Sequence, residues 1–300
     1  MATTLNVTTN YVGEVAGEYI GEMIKEANTV SQNLVTILPN VVSSTFVRKI
    51  QTTEGFVDYA CGWNPQGSIT LSERELTPKK IKWDTELCKE EFRQLWTASQ
   101  MGFSAHNNSL PQTEQAAILL DMGKKIARKI DIDIWEGLGT TGDLNGLIPQ
   151  FLADGTVIDV ATPVAINKGN VEVEIESFID AIPDAVIGSA GLVMGVSTNV
   201  LRALKMLYGQ QSRNNGIFLK PNEFDFNGYT LTEIKGLNAN TMVGYDKNQV
   251  FFGTGLLADH NEIKVKDMDE SDLSGQIRMK VVLTGGVQYA YGSEIVLYRA

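Results

Sequence analysis

Gly137-Leu-Gly139-Thr-Thr-Gly142 has the spelling of a phosphate-binding loop. A GxGxxG loop cradles a pyrophosphate when a strand feeds it and a helix leaves it, so that the helix N-terminus faces the phosphates. Here the periodicity predicts a helix before the glycines and a loop after them, so they read as a helix stop. His106 and His260 lie in polar loop contexts, with no other His or Cys at ligand spacing, and no zinc site is predicted. No GxSxG elbow occurs, nor a Ser or Cys beside a plausible base. Asp131 and Asp133 fall on a predicted helix; Asp267, Asp269 and Asp272 fall in a predicted loop. That loop lacks the glycine a calcium loop needs at its sixth position and places Arg278 where a bidentate Glu belongs. All these carboxylates are read as solvated. No catalytic residue, cofactor or metal ligand is predicted, and the chain is not expected to be an enzyme.

The elements around these residues come from a chain of 300 residues, 43% hydrophobic and 20% charged, which is ordinary for a folded soluble protein of one large or two smaller domains. No run of ~18 apolar residues predicts a membrane-spanning helix. The first residues lack the charged and apolar regions of a signal peptide. Two cysteines, Cys61 and Cys88, imply no disulfide framework, and a reducing compartment is the default. Net charge is −11, opposite in sign to a typical nucleic-acid binder, so the chain repels a polyanion on average.

Residues 14–27 read as an amphipathic helix with an apolar stripe of Val15, Ala16, Tyr19, Ile20, Met23, Ile24 and Ala27. Glu14, Glu18, Glu22 and Glu26 repeat every four residues, as do Gly13, Gly17 and Gly21. Each interior glycine costs about 1 kcal/mol of helix propensity. The stripe serves either close packing or an arm that orders when a partner docks. Residues 88–101 return to helical spacing. The longest predicted helix runs from about 112 to 138, with Ala116, Leu119, Leu120, Met122, Gly123, Ile126, Ala127, Ile130, Ile134 and Leu138 on one side. At ~1.5 Å per residue it spans about 40 Å, the length of a domain spine. Lys124, Lys125, Arg128 and Lys129 share its other side, as a solvated face or a contact to an acidic subunit or nucleic acid. Short strands near 157–160, a helix over 174–186, a strand at 192–196 and a helix from Ser197 follow. Asn227-Gly228 signals a hairpin, and strands are predicted at 242–245, 250–253, 277–283, 287–291 and 295–298.

The segment from Pro39 to Cys88 reads as two long strands joined by a loose tip bearing Gly62, Asn64, Pro65, Gly67 and Ser68. In the return arm Ile81, Trp83, Thr85 and Leu87 alternate with Lys80, Lys82, Asp84 and Glu86. An arm of roughly 15 residues at ~3.3 Å each reaches about 50 Å. A lone two-stranded hairpin is marginal in water, so the arm is expected to lie on another copy of the chain. The contact residues expected are Tyr19, Ile20, Phe56, Trp63, Ile69 and Leu71.

This order of elements resembles the major capsid proteins of tailed bacteriophages, the Hong Kong 97-type fold, an α+β architecture. The resemblance covers nearly the whole chain. Residues 1–40 look like the N-terminal arm and 41–87 like the extended β-hairpin, or E-loop. Residues 88–171, with Trp135-Glu-Gly-Leu-Gly and Asn145-Gly-Leu-Ile-Pro149, look like the peripheral domain with its spine helix. Residues 172–262, with Val193-Met-Gly-Val-Ser-Thr-Asn-Val-Leu, look like the axial domain. Residues 263–300, with Thr284-Gly-Gly-Val-Gln-Tyr-Ala-Tyr, look like the return to the peripheral domain.

The resemblance implies self-assembly into pentamers and hexamers of an icosahedral shell around double-stranded DNA, in a virion assembled in the host cytoplasm. It implies a portal as partner, and packaged DNA held by loose, non-specific contact. Many relatives carry a long N-terminal scaffolding extension; this sequence shows none and begins with Met, so a separate scaffolding protein is expected. Some relatives form lysine–asparagine crosslinks, for which Lys79, Lys80 and Asn248 are available. The alternative within the same fold is an encapsulin shell enclosing a cargo enzyme. A soluble α/β enzyme is the third reading, and the failed motifs above speak against it.

Overall fold

The computed structural model describes residues 28–59, 61–63, 65–88, 112–215, 225–255, 264–268 and 276–300. The helices expected over 14–27 and 88–101 lie outside these residues, as do Tyr19, Ile20, His106 and His260. The described chain opens with a short helix α1 (Asn28–Ser31), strand β1 (Thr36–Leu38), and strands β2 (Thr45–Thr52), β3 (Ile69–Leu76) and β4 (Lys79–Cys88). The long helix α2 (Gln112–Glu136), α3 (Leu147–Ala153) and β5 (Ile158–Asp159) come next. Then follow α4 (Val171–Asp180), α5 (Asp184–Ile187), β6 (Leu192–Val196), α6 (Thr198–Asn215), β7 (Asp225–Phe226) and β8 (Tyr229–Glu233). Strands β9 (Thr241–Asp246), β10 (Val250–Thr254), β11 (Lys264–Asp267), β12 (Gln276–Tyr289) and β13 (Val296–Arg299) close the chain.

The strands form three sheets. One runs β1-β10-β12-β11, with β4 pairing β12 as well. A second has six strands in the order β5-β13-β9-β6-β8-β7. The third is β2 with β3 alone. The turn between β7 and β8 is carried by Asn227 and Gly228, both at positive φ, as an Asn-Gly hairpin requires.

Two cores result. The first joins α2 and α3 to both larger sheets through Ile134, Trp135, Phe151, Tyr245, Phe252 and Tyr289. The second packs α4 and α6 on the six-stranded sheet through Ile175, Phe178, Val200, Leu204, Met242 and Tyr298. The predicted apolar stripe of α2 is buried at Met122, Ile126, Ala127 and Ile134. Leu138 departs from it: the helix ends at Glu136, and Leu138 bridges Asn145 with its side chain exposed.

Several expectations are corrected. Asp131 and Asp133 are buried rather than solvated. Asp131 accepts the backbone N–H of Thr29 at 3.0 Å, and Trp135 Nε1 donates to Thr29 Oγ1 at 2.8 Å, so the two residues clamp α1 to the spine helix. Lys129 reaches Asp133 at 2.7 Å and also Asp143, so its acidic partners belong to its own chain. Burial pushes Asp133 above the usual carboxylate range, against the pull of Lys129. Asp143, more open and hydrogen-bonded by Lys129 and Thr140, is held below it. Asp267 lies on β11, not in a loop. The helix expected over 174–186 is two helices, broken before Pro183 because that residue has no N–H to give. Helix α3 went unpredicted because it is seven residues long and contains Pro149. Pro149 is harmless there, since first-turn N–H groups have no partner inside the helix.

The largest correction concerns β4. Its alternation holds in part: Ile81 is buried and Thr85 half-buried with Lys80, Lys82, Asp84 and Glu86 exposed, but Trp83 is 37% exposed. Its partner is not the outgoing arm but β12, paired antiparallel from Gln276↔Cys88 to Gly285↔Lys79. Alternation reports one buried face and leaves the partner strand open. The hairpin proper is β2 with β3, paired from Thr45↔Leu76 to Thr52↔Ile69. Cys61 and Cys88 are free and exposed.

Candidate functional site

The feature that the rest of the fold does not absorb is the β2–β3 hairpin. Its register sorts its residues cleanly. Phe46, Arg48, Ile50 and Thr52 oppose Glu75, Glu73, Leu71 and Ile69, so these eight share one face. Val47 and Lys49 oppose Arg74 and Ser72 on the other.

The second face is anchored to the chain's own body. Leu76, fully buried, sits over Gly253 and Gly286. A Cβ at Gly286 would lie 2.9 Å from the Thr77 carbonyl, so Gly286 is a seat for the hairpin base; β12 runs straight through it although two separate strands were predicted. Arg74 pairs with Asp154 at the end of α3, and its guanidinium lies over the Tyr289 ring, 4.2 Å from the centroid. Tyr289 Oη donates to Asp154 at 2.7 Å, and Asp154 also accepts from Thr156 N at 2.9 Å. Tyr291 Oη donates to the Ile50 carbonyl at 2.8 Å and accepts from the Ile50 N–H at 3.0 Å. Lys49 lies over the Tyr291 ring, and Gln288 Nε2 donates to the Glu75 carbonyl at 2.7 Å. Burial would raise Asp154, yet the hydrogen bonds from Arg74, Thr156 and Tyr289 outweigh it and hold the carboxyl well below its usual range. Tyr289 is pushed up to about 12, by burial first and then by Asp154.

The first face has no such cover among the described residues. Ile69 and Leu71 are 72% and 74% exposed, and Phe46 and Ile50 stand out beside them. Beyond the strands, the tip is closed by Thr53 N–H donating to the Ser68 carbonyl at 2.9 Å, and it holds Phe56 and Trp63 at 96% and 93% exposed. Of the residues expected to make contacts, Phe56, Trp63, Ile69 and Leu71 thus lie on this one element. Phe46, Ile50 and Tyr59 belong with them. The pairing register is what puts Phe46 and Ile50 on the open face. Burying four such side chains releases about 6–12 kcal/mol before the cost of association.

The residues that spelled a phosphate loop form something else. Gly139 N–H donates to the Leu144 carbonyl at 2.8 Å and Gly146 N–H to the Gly137 carbonyl at 2.7 Å, so 137–146 folds back on itself. Gly139 and Gly142 supply its positive φ values, and Lys79 Nζ donates to the Gly139 carbonyl at 2.9 Å. Asn248 bonds Asp246 Oδ1 at 2.9 Å, and Lys80 is exposed. No cluster of metal-ligating side chains and no helix long and apolar enough to cross a membrane occurs among the described residues.

No protein-family model and no curated protein matches the sequence. Solved structures do match in fold. A chain from the capsid of a native GTA particle superposes with a TM-score of 0.59 at 11% identity, over 90% of this chain and 89% of that one. A chain of the satellite phage P4 procapsid gives 0.54 at 11% identity, over 93% and 97%. A virus-like particle from Pyrococcus furiosus gives 0.54 at 9% identity, over 95% and 98%. Over 90% or more of its length, and with a TM-score of 0.54–0.59 to these chains, the chain has the Hong Kong 97-type capsid fold.

Proposed function

We propose that this chain is a major capsid protein that assembles with copies of itself into the pentamers and hexamers of a closed icosahedral shell around double-stranded DNA. The observation that carries the reading is the two-faced hairpin: one face clasped to its own subunit, the other a row of exposed apolar side chains. Folded chains rarely expose such a row without a partner. Many copies of one moderate contact close a symmetric object. The likeness in fold to capsid chains supports the same conclusion. In this reading residues 1–40 are the N-terminal arm, the hairpin within 41–87 is the E-loop, and 88–171 with 263–300 form the peripheral domain. Residues 172–262 form the axial domain. The role is structural, in the virion, with a portal and a separate scaffolding protein as further partners. DNA is met only loosely, as the net charge of −11 favours.

Removal of the hairpin tip tests this. A deletion of 56–75 would take β3 and its Arg74 anchor with it, so the cleaner variant replaces residues 54–67 by Asn-Gly and leaves β2 and β3 paired. The expected product is a folded subunit that forms no closed shells by electron microscopy. Normal shells from that variant would remove the hairpin from the account. Particles of the wild-type chain that carry a protein cargo in place of DNA would mean an encapsulin.

A further inference from the structure

The hairpin leaves the body at a defined place. Its polar contacts to the rest of the chain come from Asp154 at the end of α3, from Gln288 and Tyr289 at the end of β12, and from Tyr291 just after it. All of them fall on hairpin residues 49–50 and 74–76. From Gln51 on one strand and Ser72 on the other, the strands continue exposed to the tip. The held stretch thus runs from the Thr45–Leu76 pair to Ile50, most of the paired strands. Beyond it lie Gln51, Thr52, Ile69 and Thr70 and then the tip with Phe56 and Trp63, so any change in the angle of the held stretch is carried out to these exposed side chains.

The anchor has the properties of a latch rather than of a packed core. Arg74 holds Asp154 by a charged pair and covers Tyr289 with its plane, an arrangement a lysine cannot reproduce. Tyr289 and Thr156 orient the same carboxylate from two other sides. Gly292 makes the room: a Cβ there would lie 2.9 Å from Asp154 Oδ2. The apolar seat at this base is small, Leu76 over Gly253 and Gly286 with Val47 buried on the same face, so the polar contacts carry the orientation.

We propose that Arg74, Asp154, Tyr289 and Tyr291 are positioning residues that fix the angle of the hairpin, and through it the curvature of the assembled shell. This rests on the shell reading above. The hairpin's apolar face supplies the adhesion between subunits, and the latch decides the direction in which it is offered. Loss of the latch then leaves association intact and makes its geometry variable.

The experiment compares particles of Asp154→Asn, Arg74→Met and Arg74→Lys with those of the wild-type chain by cryo-electron microscopy. The expected result for Asp154→Asn and Arg74→Met is assembly into several diameters, open sheets or tubes in place of one closed size. Arg74→Lys, which keeps the charge and loses the planar cover, falls between. A single wild-type diameter in Asp154→Asn and Arg74→Met would overturn the proposal, as would unassembled subunits. Tyr289→Phe, which removes only the hydroxyl, serves if the others do not fold. If the wild-type chain forms no particles, the shell reading fails by itself, and the latch is then read on the single subunit. Spin labels on Cys61 and on Ser177→Cys, with Cys88→Ser, give a narrow distance distribution in the wild-type and a broad one in Asp154→Asn. Equal widths would show that these residues do not fix the angle.

Discussion

Asp154 and Trp135 show what single residues contribute. Asp154 is held ionised below the ordinary carboxylate range, so its contribution to stability is complete above about pH 4 and is lost as pH falls toward its folded value. Thermal unfolding should therefore show a loss of stability below about pH 4 that is smaller in Asp154→Asn, while at pH 7 that variant is less stable by on the order of 2 kcal/mol, the worth of charged hydrogen bonds. An unchanged acid profile would mean that other carboxylates carry it. Trp135 is fully buried and bonds Thr29, so Trp135→Ala should cost about 3–5 kcal/mol in chemical denaturation, by cavity and by the orphaned hydroxyl. The sequence placed Trp135 on the spine helix but misread its neighbours Asp131 and Asp133 as solvated. Asp131 looks like surface because the N–H it binds, that of Thr29, lies 102 residues away along the chain, while Asp133 pairs with Lys129 one turn before it and is buried by the core around it.

At the scale of elements, most helices and strands were legible from period and punctuation. The spine helix, the 192–196 strand and the Asn227-Gly228 hairpin follow directly from local spacing. Pairing was not legible. Strand β4 shows one buried face whichever strand it joins, and its true partner lies almost two hundred residues downstream. The arm is consequently shorter than its sequence suggested, and it is held to its own body from Leu76 to Ile50. This division predicts different failures for the two hairpin faces. Ile50→Asp with Leu71→Asp places charges opposite each other on the open face, and like charges there add cross-strand repulsion to the lost apolar area. The expected product is a folded subunit that sediments as single chains. If it still assembles, the open face is not the adhesive one.

For the whole molecule, we propose that an acidic chain with a clasped hairpin and an exposed apolar row meets copies of itself. The fold is shared with capsid chains at about one residue in ten identical, which is why no sequence match reports it and why the order and packing of elements do. The most direct measurement is cryo-electron microscopy of the purified wild-type chain, expressed alone and with a scaffolding protein. Closed particles are expected, with walls that resolve into five- and six-membered rings and the hairpin of each subunit lying on the next. A population of single 32.9 kDa chains that persists at high concentration, with and without the scaffold, would contradict this reading.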